Sequence, residues 1–218
     1  MEKREALLKL DKLIGRELHQ LAKELDIPIY GPSGKVNKGW AGHTIERYLG
    51  LPLNSSKSPN FGSWELKVVP IRWSPRKKQW VFKETMAITM IDPYNLIRTP
   101  FEKSYLYQKL QRMVVAVRSV GNKNEDSSYL VGIFEISLEN EKIFQQVKED
   151  YEKIRRVVAE KIEEGYSYQE SVTFLSGRMG IYIQPRTKGK GYGSITRAFY
   201  CRKTFLELFL DLSKVGIQ

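Results

Sequence analysis

The chain has little of what an oxidising compartment or a zinc site would require. Its 218 residues include one cysteine, Cys201, and two histidines, His19 and His43. A lone cysteine cannot close an internal disulfide, and three scattered side chains do not make a Cys/His zinc site. No apolar run is long enough for the core of a signal peptide or for a membrane span. A cytoplasmic protein is expected, with any essential metal held by oxygen ligands. Internal repeats and low-complexity tracts are also missing, which excludes solenoids and points away from a disordered arm.

Positive charge is abundant. Thirty-six Lys and Arg oppose twenty-five Asp and Glu, for a formal charge of +11 and a pI near 9.6. Such a surface suits a polyanion, nucleic acid first, although ribosomal and membrane-surface proteins share the property. The length fits a single domain over 1–218, with two lobes forming a DNA-binding cleft as a variant of it.

Apolar spacing predicts one long amphipathic helix over 4–25 and a second over 38–49, ended by Gly50. Segments 64–73 and 79–91 read as strands of a hairpin whose turn is the basic Ser74, Pro75, Arg76, Lys77, Lys78. A helix over 101–110 and strands over 113–120 and 129–137 follow, then a charged amphipathic helix over 143–164. A strand over 178–184, a basic glycine-rich loop over 185–194, a strand over 198–202 and a helix over 204–212 close the chain. The class is α/β (α+β), with a central mixed sheet flanked by helices.

The densest chemistry lies in Pro59-Asn60-Phe61-Gly62-Ser63-Trp64-Glu65-Leu66-Lys67. A proline, an acid-type residue, a short gap and Glu-x-Lys is how many metal-dependent nucleases present their reacting groups. In a strand, residues two apart share a face, so Glu65 and Lys67 point together and Leu66 points away. A carboxylate that can hold a divalent cation then stands beside an ammonium that can activate water or take up phosphate charge. Glu46, on the helix before this segment, is the next carboxylate able to reach such a metal. A solvated strand face and a surface carboxylate are the plain alternatives. Asn60 stands where the pattern has Asp, and its amide brings no negative charge to a hard cation.

A second group lies in 186–203, where Arg186, Lys188, Lys190, Arg197, Arg202 and Lys203 alternate with glycines and with Tyr192 and Tyr200. Glycines allow close backbone approach, and cations contact phosphates or read guanine edges, so this looks like a DNA-facing loop. The glycines do not lead into a helix with Lys-Ser/Thr, which disfavours a nucleotide-triphosphate loop. His43 and Cys201 read as an ordinary helix residue and a buried small side chain.

Four blocks, taken in order, resemble the MutH family: Lys38-Gly39-Trp40-Ala41-Gly42 leading to Glu46; Glu65-Leu66-Lys67-Val68-Val69-Pro70; Gly180 to Lys188; and Arg197 to Phe205. That family joins methyl-directed mismatch-repair nicking endonucleases to related type II restriction enzymes. The resemblance implies a PD-(D/E)xK, restriction-endonuclease-like fold, dependence on Mg²⁺ (with Mn²⁺ as a substitute) and cleavage of a short double-stranded DNA sequence. By matched position it implies an active-site set of Glu46, Asn60, Glu65 and Lys67, with Asn60, Glu65 and Glu46 at the metal. It adds Lys109 near the scissile phosphate, Lys38 near the active site, and Arg186, Lys188 and Tyr200 as DNA contacts; Lys190 and Arg197 join these from the basic loop. The partner is double-stranded DNA, bound by a monomer or a transient homodimer, with repair-protein activators only for a mismatch-repair nickase.

Two departures stand out. The gap from Asn60 to Glu65 is shorter than in the mismatch-repair members and closer to some restriction enzymes. The Asn at 60 removes a full charge from the metal position, so binding without fast cutting is expected, whether the substitution is engineered or a natural departure offset by Glu46. A catalytically silent DNA-binding module is the alternative of another class.

Overall fold

The computed structural model describes residues 1–50, 64–121, 127–189 and 195–215. The chain divides into two compact units, one built from 1–84, 113–135 and the segment from 210 onward, the other from 85–112 and 136–209.

The first unit begins with α1 (Lys3–Asp11) and α2 (Leu18–Glu24), not with one helix. The apolar spacing runs on across the break, but the backbone between them pairs with a strand: Gly15 N–H donates to Leu130 O, Arg16 O accepts from Leu130 N–H, and Leu18 N–H donates to Ser128 O. Gly15 takes a positive φ of 85°, which a glycine adopts at little cost. Glu17 then caps α2 by accepting from Gln20 N–H. Next comes α3 (Trp40–Tyr48), close to its expected bounds and followed by Gly50 at φ 73°.

Strands β1 (Glu65–Ser74) and β2 (Gln79–Phe82) form the expected hairpin, pairing from Ile71 with Phe82 to Ser74 with Gln79. The predicted strand over 79–91 is cut in two, because the chain turns at Lys83 and Glu84 and β3 (Met86–Met90) enters the second unit's sheet. Back in the first unit, β4 (Met113–Val120) runs parallel to β1 and β5 (Leu130–Glu135) antiparallel to β4, giving the order β2-β1-β4-β5. Every residue of β4 is buried, which explains its unbroken Val-rich run. Leu66, Val114 and Ala116 share a hydrophobic core with Leu10, Leu18, Leu21, Trp40, Ile45 and Leu49, so α1 to α3 are held against the sheet by apolar burial. This mixed sheet flanked by helices is the restriction-endonuclease-like architecture expected from the sequence.

In the second unit β3, β7 (Arg197–Cys201) and β6 (Ile183–Thr187) form an antiparallel sheet in the order β3-β7-β6. Its helices are α4 (Pro93–Arg98), α5 (Tyr105–Leu110), α6 (Glu141–Glu163), α7 (Tyr168–Ser171) and α8 (Lys203–Leu206). Asp92, Ser104, Asn140 and Ser167 supply side-chain caps at the first four of these N-termini. Neither α4 nor α7 is among the expected elements. The predicted helix over 101–110 opens with a tighter 3-10 turn at Phe101–Lys103, and the closing helix spans one turn only. No helix among the described residues is long and apolar enough to cross a membrane.

The strand expected at 178–184 starts only at Ile183, and the reason is one carboxylate. Asp150 on α6, 2% exposed, accepts from the amides of Ile181, Tyr182 and Ile183 at 2.8, 2.7 and 2.8 Å. Amides that converge on a single carboxylate cannot at the same time follow a ladder. Gly180 makes the turn possible at φ 73°, where a Cβ would drive into the carbonyl of Ile183. Arg202 closes the same turn by donating to the carbonyls of Gly177, Met179 and Gly180. Replacing Asp150 by Ala strands buried donors, and we expect a loss of about 3 kcal/mol or more, read from the urea midpoint; a change under about 1 kcal/mol would contradict this role.

Candidate active site

The geometry of the candidate site grows from β1. Its first residues pair with β4, Glu65 opposite Met113 and Lys67 opposite Val115, while the described pairing with β2 begins only at Ile71. Alternation places Glu65 and Lys67 on one face, and their side chains meet: Lys67 Nζ lies 2.7 Å from Glu65 Oε1. Leu66 turns into the core at 4% exposure. The Glu65 side chain is fully buried and that of Lys67 a quarter exposed, so this is an inner carboxylate with a cation at the rim. The indole of Trp64, also buried, donates to Met1 O and fixes the start of the strand.

Glu46 on α3 couples to both. Burial is the largest influence on its carboxyl and raises its pKa above the ordinary carboxylate value; the Lys67 ammonium opposes the rise and the Glu65 carboxylate adds to it. The half-buried Glu46 carboxyl therefore feels both charges of the pair on β1. A hard divalent cation would relieve both the desolvation of Glu46 and its repulsion from Glu65, so the donors present suit such an ion. Among the described residues no group of three His, Cys, Asp or Glu side chains is placed to hold a metal. Asn60, the third expected donor, lies outside the described residues.

The start of α3 carries a second polar group that the sequence pattern does not reveal. Trp40, 1% exposed, is stacked on His19 with ring centroids 4.6 Å apart. The Arg118 guanidinium carbon lies 5.4 Å from the Trp40 ring centre. His19 Nδ1 is 2.8 Å from Glu17 Oε1, which also accepts from Ser128 N–H, while Arg118 donates to Ser128 Oγ. Burial tends to raise the Glu17 carboxyl, but hydrogen bonds from Gln20, Ser128 and His19 outweigh it and bring its pKa below the usual value. A stacked pair of this kind contributes about 0.5–1.5 kcal/mol beyond its buried area. The local sequence signal is Glu17 two residues from His19, which says nothing about a tryptophan far along the chain.

Lys38 is exposed just ahead of α3, where Asn37 Oδ1 accepts from Gly39 N–H. His43 sits half-buried on α3 with its ring against Gly39, and Cys201 is buried, its thiol pKa pushed well up by desolvation. Both fit their plain readings.

The remaining candidates belong to the second unit. Lys109, in the last turn of α5, is 5% exposed. On the sheet, Gln184 pairs with Tyr200 and Arg186 with Ala198, which sets Gln184, Arg186 and Tyr200 on one face. The Arg186 guanidinium carbon and Lys188 Nζ lie 5.7 and 5.9 Å from the Tyr200 ring centre, so two cations flank one aromatic. Arg186 also donates to Thr85 Oγ1 at 2.8 Å and borders a cleft of about 480 Å³ lined by Thr85, Gly177, Gln184, Arg202, Lys203 and Thr204. Arg197 pairs with Thr187, hence on the opposite face, and donates to Thr173 O. Arg202 is occupied by the turn at Gly177–Gly180. Lys190 lies outside the described residues. Gln184 and Thr85 are not among the expected contacts, although the two-residue period back from Arg186 reaches Gln184.

Comparison with known proteins points to one family. The profile of the family described as "DNA mismatch repair enzyme MutH" matches residues 49–150, the stretch that holds β1 and its Glu-x-Lys. Over nearly the whole chain there are relatives named "DNA mismatch repair protein MutH". One from Haemophilus ducreyi is 27% identical, covering 95% of this chain and 92% of the relative. Another from Pasteurella multocida is 24% identical over 97% and 96%, and one from Vibrio campbellii 23% identical over 98% and 95%. Together with the sheet order and the paired Glu65 and Lys67, these matches make the chain similar to the MutH family and support an endodeoxyribonuclease.

Proposed function

We propose that this protein is a sequence-specific, Mg²⁺-dependent endonuclease of double-stranded DNA, acting as a type II restriction enzyme in the cytoplasm. The observation that carries the reading is the buried Glu65 paired at 2.7 Å with Lys67 while Glu46 feels both charges. Glu65, Glu46 and the Asn60 amide would hold the ion, with Mn²⁺ able to replace Mg²⁺. When bound, the ion supplies charge neutralisation on the phosphorane and lowers the pKa of water. Lys67 then orients or deprotonates the attacking water, or stabilises charge on the phosphate. Lys109 is assigned to the scissile phosphate by family resemblance, as is Lys38 to the vicinity of the site. Arg186, Lys188 and Tyr200, with Lys190 and Arg197 from the same basic segment, contact DNA, Arg186 and Tyr200 from one sheet face with Lys188 beside the Tyr200 ring, and Arg197 from the opposite face of β7. Monomer and transient homodimer both accommodate this chemistry.

A second reading is favoured by one observation: the relatives are named for DNA mismatch repair. On that reading the chain nicks one strand after activation by a repair protein. A silent DNA-binding module, kept alive by Asn60, is the reading outside enzymology.

The charges make these readings separable. On supercoiled plasmid with Mg²⁺, Asn60→Asp speeds cleavage by about tenfold or more, because a full charge returns to the metal position; equal rates would mean that Asn60 does not stand there. Linear product from the chain alone supports the restriction enzyme, nicked circles that need an added activator support the repair enzyme, and no cleavage by either variant supports the silent module.

Glu46 has a raised pKa in the folded state, so its contribution to stability is present below the unfolded value near 4.5 and is lost as pH rises through the folded pKa. Glu46→Gln in chelator should therefore melt higher than the parent at about pH 8 and level with it near pH 4, while cleavage falls by about 10²-fold or more. A variant that melts lower at the alkaline pH would count against a strained carboxylate. DNA affinity should fall steeply with salt, and Lys188→Ala should reduce the slope of log K against log salt by about 1 if its ammonium meets a phosphate. An unchanged slope with relaxed preference at one base would assign Lys188 to base reading.

A further inference from the structure

Glu46 is carried by a helix that is weakly specified at its N-terminus. Gly39 provides no side-chain cap to α3, and no acidic residue occupies the first turn. Nine residues make a short helix, marginal without tertiary packing. Whatever holds the carboxylate inward must act on the body of α3, through Trp40, Ala41, Thr44, Ile45 and the following Leu49 in the core.

Trp40 is the first residue of that helix, and its ring is gripped by groups from elsewhere in the same unit. His19, from the first turn of α2, stacks against it at 4.6 Å with planes 19° apart. Glu17 fixes the imidazole through Nδ1, and its own place is fixed by the amides of Gln20 and Ser128. Thr44 Oγ1 donates to Trp40 O, passing the anchor along one helical turn. A nearly parallel stack on the first residue of α3 ties the start of that helix to α2.

We propose that His19 is a positioning residue for the active site: its ring, stacked on Trp40, sets the rotation and height of α3 and so holds Glu46 beside Glu65 and Lys67. The inference rests on the nuclease reading for its consequence in cleavage, but its structural content stands apart from that reading. The stack, not the hydrogen bond to Glu17, is the active element, because Glu17 is satisfied by two backbone amides without His19.

The experiment uses the full chain with Asn60→Asp as the background, and His19→Ala, His19→Phe and Glu46→Gln built on it. Hydrogen–deuterium exchange of the metal-free protein is the readout independent of activity. His19→Ala should raise exchange about tenfold in peptides covering 41–48 and leave those from β4 unchanged, while His19→Phe, which keeps an aromatic ring on Trp40, stays near the parent. In cleavage, His19→Ala should need about tenfold more Mg²⁺ for half-maximal rate and turn over more slowly at saturating DNA, with DNA affinity in chelator unaltered; His19→Phe should restore both.

Exchange in 41–48 that matches the parent in His19→Ala overturns the inference, as does a His19→Phe protein as loose as His19→Ala, or acceleration spread evenly over both units. Full activity in Glu46→Gln would instead overturn the nuclease assignment of Glu46, while the exchange result would still decide whether His19 positions α3.

Discussion

The first unit is organised around the cost of keeping the buried Glu65 paired with Lys67 while the half-buried Glu46 feels both charges. Glu65 is fully buried, and Lys67 at 2.7 Å is its counter-charge at the rim. Glu46 is then the excess: its charged form is disfavoured by burial and by Glu65, and favoured by Lys67. An arrangement with surplus negative charge is poor for stability, and a stretch of sequence selected for folding alone would place a neutral side chain there. The excess makes sense where a cation completes the set.

Everything that surrounds this group resists its relaxation. The parallel pairing of β1 with β4 fixes Glu65 and Lys67 in register along an entirely buried strand. On the other face, Leu66, Val114 and Ala116 lock the sheet against three helices, and Trp40 and Ile45 bring α3 into the same core. The polar cage of Glu17, His19, Arg118 and Ser128 then ties the start of α3 to α2 and to the beginning of β5. In the second unit a similar device appears with opposite sign. Asp150 commits its carboxylate to one turn, and Arg202 closes that turn, while Arg186 and Lys188 gather around Tyr200.

What could be read from the sequence was what depends on period and on neighbours. The Val-rich run of β4, the hairpin at Ser74–Lys78, the helix before Gly50 and the shared face of Glu65 and Lys67 all follow from local spacing, and the structure has them. The misses arise where a distant group claims the backbone. Residues 12–17 leave the helix because Ser128 and Leu130 offer strand partners, and the strand near 178 waits until Ile183 because Asp150 takes the amides. The predicted strand over 79–91 divides because its two halves serve different sheets. In the basic group the same distinction holds: composition finds Arg186, Lys188, Arg197 and Arg202 together, while pairing and hydrogen bonds send Arg197 to the other face and Arg202 into the turn. His19 escapes notice because its partner ring is adjacent only in space.

Charge counting also bears on how the proposed chemistry depends on Glu46. On the proposed reading, an aspartate at position 60 would join Glu65 in opposing the charge of Lys67, and the Glu46 carboxylate from α3 would add to an already anionic group. With Asn60, Glu65 and Lys67 nearly cancel, and the net negative charge available to a cation comes from Glu46. The weight of metal attraction then shifts from the strand to the helix, where the carboxylate is held against its own hydration by packing at Trp40. In such a chain a small displacement of α3 costs more than it would with the acid restored at position 60, since no second uncompensated carboxylate remains to hold the ion. Helix placement and charge at position 60 are therefore coupled variables, and the effect of changing either is expected to depend on the other.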